Sequence, residues 1–481
     1  MDKLQELINR KNAVMTGSGE PENGKLSARD RIAHLFDEGS FIETDMFSGR
    51  EGDAAAEGVI TGYGTVDSRL VFVYAQDGLA GGGAFGCEQA KKITKIMDMA
   101  LKTGAPIVSL LDSCGTKLSD GVAALGAMGE VISRSVKASG SILQISAIFG
   151  TCAGGAAFTP AMADFLIMTE DSAMMINGPA TCAKDGEILT AEDMCGAKVN
   201  ATISGNAHFV ASTDAEAVAK IRELITLLPG NAEEMAPETE CADDLNRISG
   251  QLGSIGMPMV EIIRQVADNC EFTEVSALYA ENVLTGFIRI NGRTVAVVAN
   301  NGELDSSASC KAADFIRFAD SFNLPVLTFC DTDGYKASKE EEKNGLAKYA
   351  AKLLYAYSEA TVPKVTVICS KACTASSVAM GSRAAGADFV VAWPNAVIGA
   401  LSSDMASVLL YEEDLKAGMS RDQVKAKYED EAANAFEAAK TGFIDDVIEP
   451  DSTRPRIAAA LEMLYTKSDV SPVKKHGNFS F

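Results

Sequence analysis

Two stretches decide the architecture. Gly58–Val71 reads GVITGYGTVDSRLV, and Asn282–Val295 reads NVLTGFIRINGRTV. Thr61-Gly62-Tyr63 matches Thr285-Gly286-Phe287, and Arg69 matches Arg293, each pair 224 residues apart. The likeness extends outward in order. Upstream, GSFIETD (39–45) resembles CEFTEVS (270–276); downstream, APIVSLLDS (105–113) pairs with LPVLTFCDT (324–332). Then SILQISAIFG (141–150) pairs with VPKVTVICSK (362–371), and ADFLIM from Ala163 with ADFVVA from Ala387. Ordered matches at this separation predict two related domains, not a solenoid of short repeats.

Each half alternates short Val/Ile/Leu runs with helical patterns. LVFVYAQD reads as a buried strand, glycines follow, CEQAKKITKIMDMALKTG is helical, and PIVSLLD is the next strand. That alternation predicts parallel α/β layers. Pro229–Asn246, PGNAEEMAPETECADDLN, is rich in Pro, Glu and Asp, lacks apolar periodicity and reads as the linker. The expected domains are 1–235 and 236–481, and 481 residues suffice for both cores.

Composition narrows the function. The 43 basic and 66 acidic residues leave a net charge of −23. This argues against nucleic acid, which requires a basic face. Eleven cysteines without a C-x-x-C pair suggest neither a disulfide framework nor a zinc ribbon, and the three histidines form no metal motif. No metal is expected. The start, MDKLQELINRKNAV, lacks the apolar core of a signal peptide. Ile142–Met168, the most apolar stretch, is interrupted by glycines, Pro160 and Asp164. A cytoplasmic protein is the expectation.

Three local patterns could carry chemistry. Gly81, Gly83 and Gly86 fit G-x-G-x-x-G between a strand and a helix, with Asp112 ending the next strand. The second half lacks these glycines in NNGELDSSASCKAADF, which favours a structural or ligand-shaped loop over a nucleotide cradle. Gly150-Thr151-Cys152-Ala153-Gly154 has the outline of a nucleophile elbow with a thiol, and His208 is its nearest candidate base. A small buried cysteine is the commoner explanation. Lys91, Lys92 and Lys95 could meet a phosphate, although solvated faces suit them better. In FGTCAGGAAFTPAMADFLIM a strand runs into adjacent glycines and then a helix-compatible stretch. Glycines there let backbone N–H groups approach a ligand oxygen as an oxyanion hole. Tight packing explains the same spacing equally well.

Over nearly its whole length the chain resembles the carboxyltransferase subunits of biotin-dependent acyl-CoA carboxylases and decarboxylases, of the propionyl-CoA carboxylase β and methylmalonyl-CoA decarboxylase α kind. The resemblance rests on GKLSARDRIAHLFDEGSFIETD, ASGSILQISAIFGTCAGGAAFTPAMADFLIM, GAKVNATISGNAH, ENVLTGFIRINGRTVAVVANN, AKLLYAYSEATVPKVTVI and TGFIDDVIEPDSTRPRI. It implies two tandem crotonase-like α/β domains, the first holding acyl-CoA and the second carboxybiotin. It also implies a thioester enolate held by backbone amides at Gly154 and Gly155, with Ala153, Ala156 and Gly115 around the substrate. On the biotin side, Ala375 and Ser376 match the donor positions. Here the chain departs from the family: Cys373-Thr374-Ala375-Ser376-Ser377 replaces a Gly-Gly-Ala stretch, and Val378 stands where relatives select acyl length. DTDGYKASKEEEKNGLAKYA (331–350) replaces a glycine-rich loop.

No Met-Lys-Met biotin-attachment site and no phosphate-binding G-x-x-x-x-G-K-[ST] loop occurs in the chain. The resemblance therefore implies a partner biotin carboxyl carrier protein. A biotin carboxylase would accompany it, or membrane subunits if the reaction runs as a sodium-pumping decarboxylase. It further implies a homohexamer, a dimer of trimers. A non-catalytic paralogue in a carboxylase complex is the alternative motivated by residues 373–377.

Overall fold

The computed structural model describes residues 2–15, 21, 24–48, 58–184, 186–254, 256–469, 472 and 474–478. Its contacts divide the chain into Met1–Glu234 and Met235–Phe481, a boundary inside the Pro/Glu-rich segment.

Among the described residues the first unit carries eight strands: β1 (Ile42–Thr44), β2 (Val59–Val66), β3 (Arg69–Gln76), β4 (Ile107–Ser113), β5 (Gln144–Ala153), β6 (Phe165–Thr169), β7 (Ala173–Met175) and β8 (Phe209–Ala211). They lie in the order β1-β2-β3-β4-β5-β6-β8, with β7 continuing beside the end of β5. The first three are antiparallel and the rest parallel. The second unit repeats the plan with β9 (Thr273–Val275), β10 (Val283–Ile290), β11 (Arg293–Asn300), β12 (Val326–Thr332), β13 (Lys364–Cys373), β14 (Phe389–Ala392), β15 (Val397–Gly399) and β16 (Asp446–Val447). The expected parallel layers are therefore mixed sheets, each entered through an antiparallel hairpin.

The repeated sequence explains that hairpin. The Asp67-Ser68 turn (φ 48° and 67°) and the Asn291-Gly292 turn (φ 56° and 73°) both place two residues at positive φ. This twist matches the flanking strands. One carboxylate staples each turn. Asp37 accepts the N–H groups of Asp67 and Ser68 at 3.1 and 3.0 Å; Asp268 accepts those of Asn291 and Gly292 at 3.2 and 2.8 Å. Each carboxylate meets an arginine from the late helix of its unit, Arg222 at 3.0 Å and Arg454 at 2.7 Å. Arg454 is fully buried. Thr61 and Thr285 each donate to the edge strand, to the carbonyls of Thr44 (3.1 Å) and Val275 (2.9 Å).

The core of the first unit lies between its sheet and helices Cys87–Thr103 and Val122–Ala138; it includes Phe72, Tyr74, Ile93, Met97, Leu111 and Val131. Lys92 is an exception to the solvated lysine face expected from sequence. It is buried and its Nζ donates to the Val59 carbonyl. Its counterpart Lys311 is also buried, donating to the carbonyls of Tyr279 (2.7 Å) and Val283 (2.6 Å). Both lysines satisfy carbonyls at the entry of the hairpin, a buried role that an amphipathic helix pattern hides. Lys91 and Lys95 do lie outside, paired with Glu88 and Asp45 at 2.7 Å each.

Candidate functional site

In each unit the two central parallel strands part at their C-terminal ends. The β4–β5 register shifts between Leu111 and Ser113, and the β12–β13 register between Cys330 and Thr332. An aspartate occupies each break. Asp112 accepts the Thr151 N–H, and Asp331 that of Lys371 at 3.2 Å. Burial pushes both carboxyls above the usual carboxylate range, with Arg31 and Lys25 opposing the rise at Asp112. Asp112 therefore shapes a strand end and does not reach for a ribose. The glycine loop before it packs just as closely: a Cβ on Gly83 would lie 1.9 Å from the Asp112 carbonyl oxygen. Gly83 and Gly86 are packing glycines, and Gly81 stands in open space with a left-handed backbone (φ 60°), so the three do not form a nucleotide fingerprint.

The thiol reading fails on burial. Cys152 is fully buried in the core and its thiol is pushed up to about 12, by desolvation first and then by Asp112. A nucleophile needs the thiolate at working pH. His208 is committed elsewhere; its Nδ1 accepts the Leu166 N–H at 2.9 Å and its ring meets the Phe165 ring.

What remains is the turn itself. β5 ends at Ala153 (φ −118°, ψ 152°) and Gly154 enters the left-handed region at φ 62°. β13 ends at Cys373 (φ −114°, ψ 153°) and Thr374 follows at φ 59°. The two turns are the same device, with 154 opposite 374, 155 opposite 375 and 156 opposite 376. Ala375 and Ser376, the biotin-side positions of the resemblance, lie one residue further into their turn than Gly154 and Gly155 into theirs. The sheet places Gln144 against Ile107 and Lys364 against Val326, one residue away from the pairing of SILQISAIFG with VPKVTVICSK.

Helical turns start immediately, at Gly154–Ala157 followed by Phe158–Ala161 and at Thr374–Ala379. N–H groups in a first turn precede the intrahelical hydrogen bonds and are available to an outside acceptor. Gly154 and Gly155 fall in the first of these turns, and Ala375 and Ser376 in the second. Gly115 and Gly334 flank the turns equivalently. A Cβ on Gly115 would sit 3.0 Å from the Ala153 carbonyl, and one on Gly334 3.2 Å from Thr374 Oγ1. Val378, half-buried, takes the place that Phe158 holds in the first unit.

The surroundings differ. A Cβ on Gly155 would lie 2.0 Å from Met128 Sδ, so the thioether covers that glycine. Beside it lies a cavity of about 20 Å³ whose lining includes Tyr74, Gln76, Phe85, Met128, Gly155 and Ala156. In the second unit, side chains knit the turn. Ser376 Oγ donates to the Cys373 carbonyl (2.9 Å) and lies 3.1 Å from Thr332 Oγ1, and Ser377 Oγ donates to the Thr374 carbonyl at 2.7 Å. Sequence reasoning passed over Met128 and Gln76. The signal available was a glutamine closing a buried strand where the second half has Asn300.

Comparison with known proteins follows the same lines. The carboxyl transferase domain model matches residues 20–479. The methylmalonyl-CoA decarboxylase subunit alpha of Propionigenium modestum is 41% identical, over 99% of this chain and 98% of that protein. The propionyl-CoA carboxylase beta chain of Roseobacter denitrificans is 41% identical over 99% of each chain. A crystal structure of transcarboxylase 12S, a hexamer with methylmalonyl-coenzyme A and methylmalonic acid bound, superposes with a TM-score of 0.94 at 38% identity, covering 99% of this chain and 98% of that one.

Proposed function

Because the chain belongs to the carboxyl transferase family, and is a carboxyltransferase built from two crotonase-like domains, we propose that it moves a carboxyl group between biotin on a partner carrier and the α-carbon of a short acyl-CoA. The Gly154–Ala156 turn serves the thioester and the Thr374–Ser376 turn serves biotin. The paired turns at the strand ends carry this reading.

The chemistry follows from where charge develops. Removing a carboxyl or a proton from the α-carbon of a thioester leaves negative charge on the carbonyl oxygen. The amides of Gly154 and Gly155, fixed at a helical start and flanked by apolar side chains, point dipoles at that oxygen without reorganising. Each such donor stabilises the transition state by about 3 kcal/mol. The absence of a serine, histidine or thiolate at the turn is no handicap for an enolate.

The second turn suits the ureido oxygen of biotin, a neutral acceptor that gains charge when its nitrogen loses the carboxyl. Thr374 holds the left-handed conformation that Gly154 holds in the first unit, so the turn keeps its shape despite the missing glycines, and the amides of Ala375 and Ser376 follow it at the helical start. Biotin supplies a nitrogen that carries and releases the carboxyl group. The rest of the reading is a carrier protein bearing that biotin, biotin carboxylase or membrane decarboxylase subunits as further partners, and a hexamer of two stacked trimers. Among the described residues no helix is long and apolar enough to cross a membrane, so a decarboxylase role would assign the membrane step to other subunits.

The test is turnover by the purified protein of methylmalonyl-CoA, malonyl-CoA or propionyl-CoA with free biotin or biotinylated carrier. Biotin-dependent loss of the carboxyl group from a thioester is expected. No turnover of any acyl-CoA would contradict the reading and favour the non-catalytic paralogue.

A further inference from the structure

We propose that Gln76 is the polar specificity residue of the acyl pocket, its side-chain amide contacting the carboxylate of an α-carboxylated thioester. This inference rests on the acyl-side assignment of the first turn.

Three observations converge on the residue. Gln76 is 3% exposed, and its Oε1 is buried without a hydrogen-bond partner. A buried amide oxygen left unpaired costs about 1–3 kcal/mol, so it needs an explanation. Gln76 also lines the small cavity beside Gly155 and Ala156, among Tyr74, Phe85 and Met128. Strand alternation places it on the face of Phe72 and Tyr74, toward helices Cys87–Thr103 and Val122–Ala138.

The internal repeat supplies the control. The counterpart of Gln76 in β11 is Asn300, one methylene shorter and fully engaged. Its Nδ2 donates to the carbonyls of Gly302 (3.0 Å) and Asp331 (2.8 Å), and its Oδ1 accepts the Asp331 N–H at 3.0 Å. In the second unit the amide ties the loop to the strand end. The extra methylene in the first unit takes the amide off that duty and into the cavity.

A terminal amide can present either its oxygen or its NH₂ to the cavity by rotation. The NH₂ donates to a carboxylate, and the group carries no charge. This neutrality matters for the chemistry. An arginine there would hold the carboxylate in its ionised ground state and oppose its departure. A neutral amide orients it while leaving the pocket apolar, so release of the carboxyl group as a neutral molecule is favoured.

Binding to the full-length protein tests the assignment, with methylmalonyl-CoA, propionyl-CoA and free coenzyme A as probes in calorimetric titrations of wild type, Gln76→Met and Gln76→Glu. Gln76→Met should weaken methylmalonyl-CoA about 10-fold or more, the scale of a hydrogen bond to a charged group, and leave propionyl-CoA within about 2-fold. Gln76→Glu should weaken methylmalonyl-CoA further by like-charge repulsion. Melting curves should show Gln76→Met at least as stable as wild type, since it removes an unpaired polar atom. Equal losses for both thioesters, or none for either, would overturn the role of Gln76 while leaving the acyl-side site in place. Failure of wild type to bind any thioester would overturn the acyl-side reading and this inference with it.

Discussion

The two strand-end turns share a backbone and differ in what keeps it in shape. In the first unit Gly154 takes the left-handed conformation without a Cβ, and Gly155 lies beneath the Met128 thioether. In the second, β-branched Thr374 takes the same conformation, and the hydroxyls of Ser376 and Ser377 tie the turn to neighbouring carbonyls. The fold therefore dictates the path of the chain through these turns, and the residues decide what space is left beside them. The first turn opens beside a cavity; the second is filled by its own side chains.

The largest expected effect separates the two hairpin staples. Arg454 is fully buried against Asp268, whereas the Arg222 side chain is 27% exposed against Asp37. Arg454→Ala leaves a buried carboxylate unpaired and should cost about 3–5 kcal/mol. Arg222→Ala should cost well under half of that in the same urea denaturation experiment. Comparable losses would break the idea that burial distinguishes the staples.

Lys311 provides a pH signature specific to the second unit. Burial lowers its ammonium to about 8, against Glu274 and Glu281, which favour the charge. The unfolded chain keeps that proton up to about pH 10.4, so between pH 8 and 10.4 unfolding takes up a proton. Stability from this group therefore rises with pH across that window, by at most about 3 kcal/mol, and is flat below it. Lys311→Met should abolish the rise in denaturation curves collected from pH 7.5 to 10.

Gly155→Ala tests the covered glycine. The new methyl must displace Met128 Sδ toward the acyl cavity, and a misplacement of this size costs up to about 10²-fold in kcat/KM. The protein should remain folded, because the obstacle is the end of a flexible side chain. Met128→Ala should restore most of the lost rate. The second unit already has alanine at the equivalent position, 375.

The smallest effect is at Thr374. Glycine there relieves the left-handed strain of about 1–2 kcal/mol and adds unfolded-state entropy of about half that. Thr374→Gly should thus raise stability by no more than about 1 kcal/mol by thermal melting. A destabilised variant would mean that the threonine side chain contributes more than its strain costs.

Much of this was legible beforehand. Ordered matches around Thr61 and Thr285 revealed the duplication because hairpin pairing and turn chemistry are local, and the Pro/Glu-rich segment marked where the units meet. The strand–glycine–helix pattern at 150–161 marked the turn, while its spacing fitted an amide site and tight packing equally well. The register of SILQISAIFG against VPKVTVICSK was not legible, since two Val/Ile strands align almost equally well one residue apart and only the sheet pairing settles it. Lys92 was misread because an amphipathic helix does not reveal which lysine curls back to a strand. Met128 and Gln76 reach the site from elements distant in sequence, and neither belongs to a motif.

The central claim is that the first turn's amides receive the thioester oxygen and the second turn's do not. The direct measurement is the affinity of a nitroalkyl analogue of the acyl-CoA, whose nitronate mimics the enolate. Proline removes one amide hydrogen from each turn, as Gly155→Pro in a Met128→Ala background and as Ala375→Pro, since a first helical turn tolerates proline. We predict a loss of about 10²-fold or more for the first and an unchanged affinity for the second. Equal affinity in both, or a loss confined to Ala375→Pro, would contradict the account.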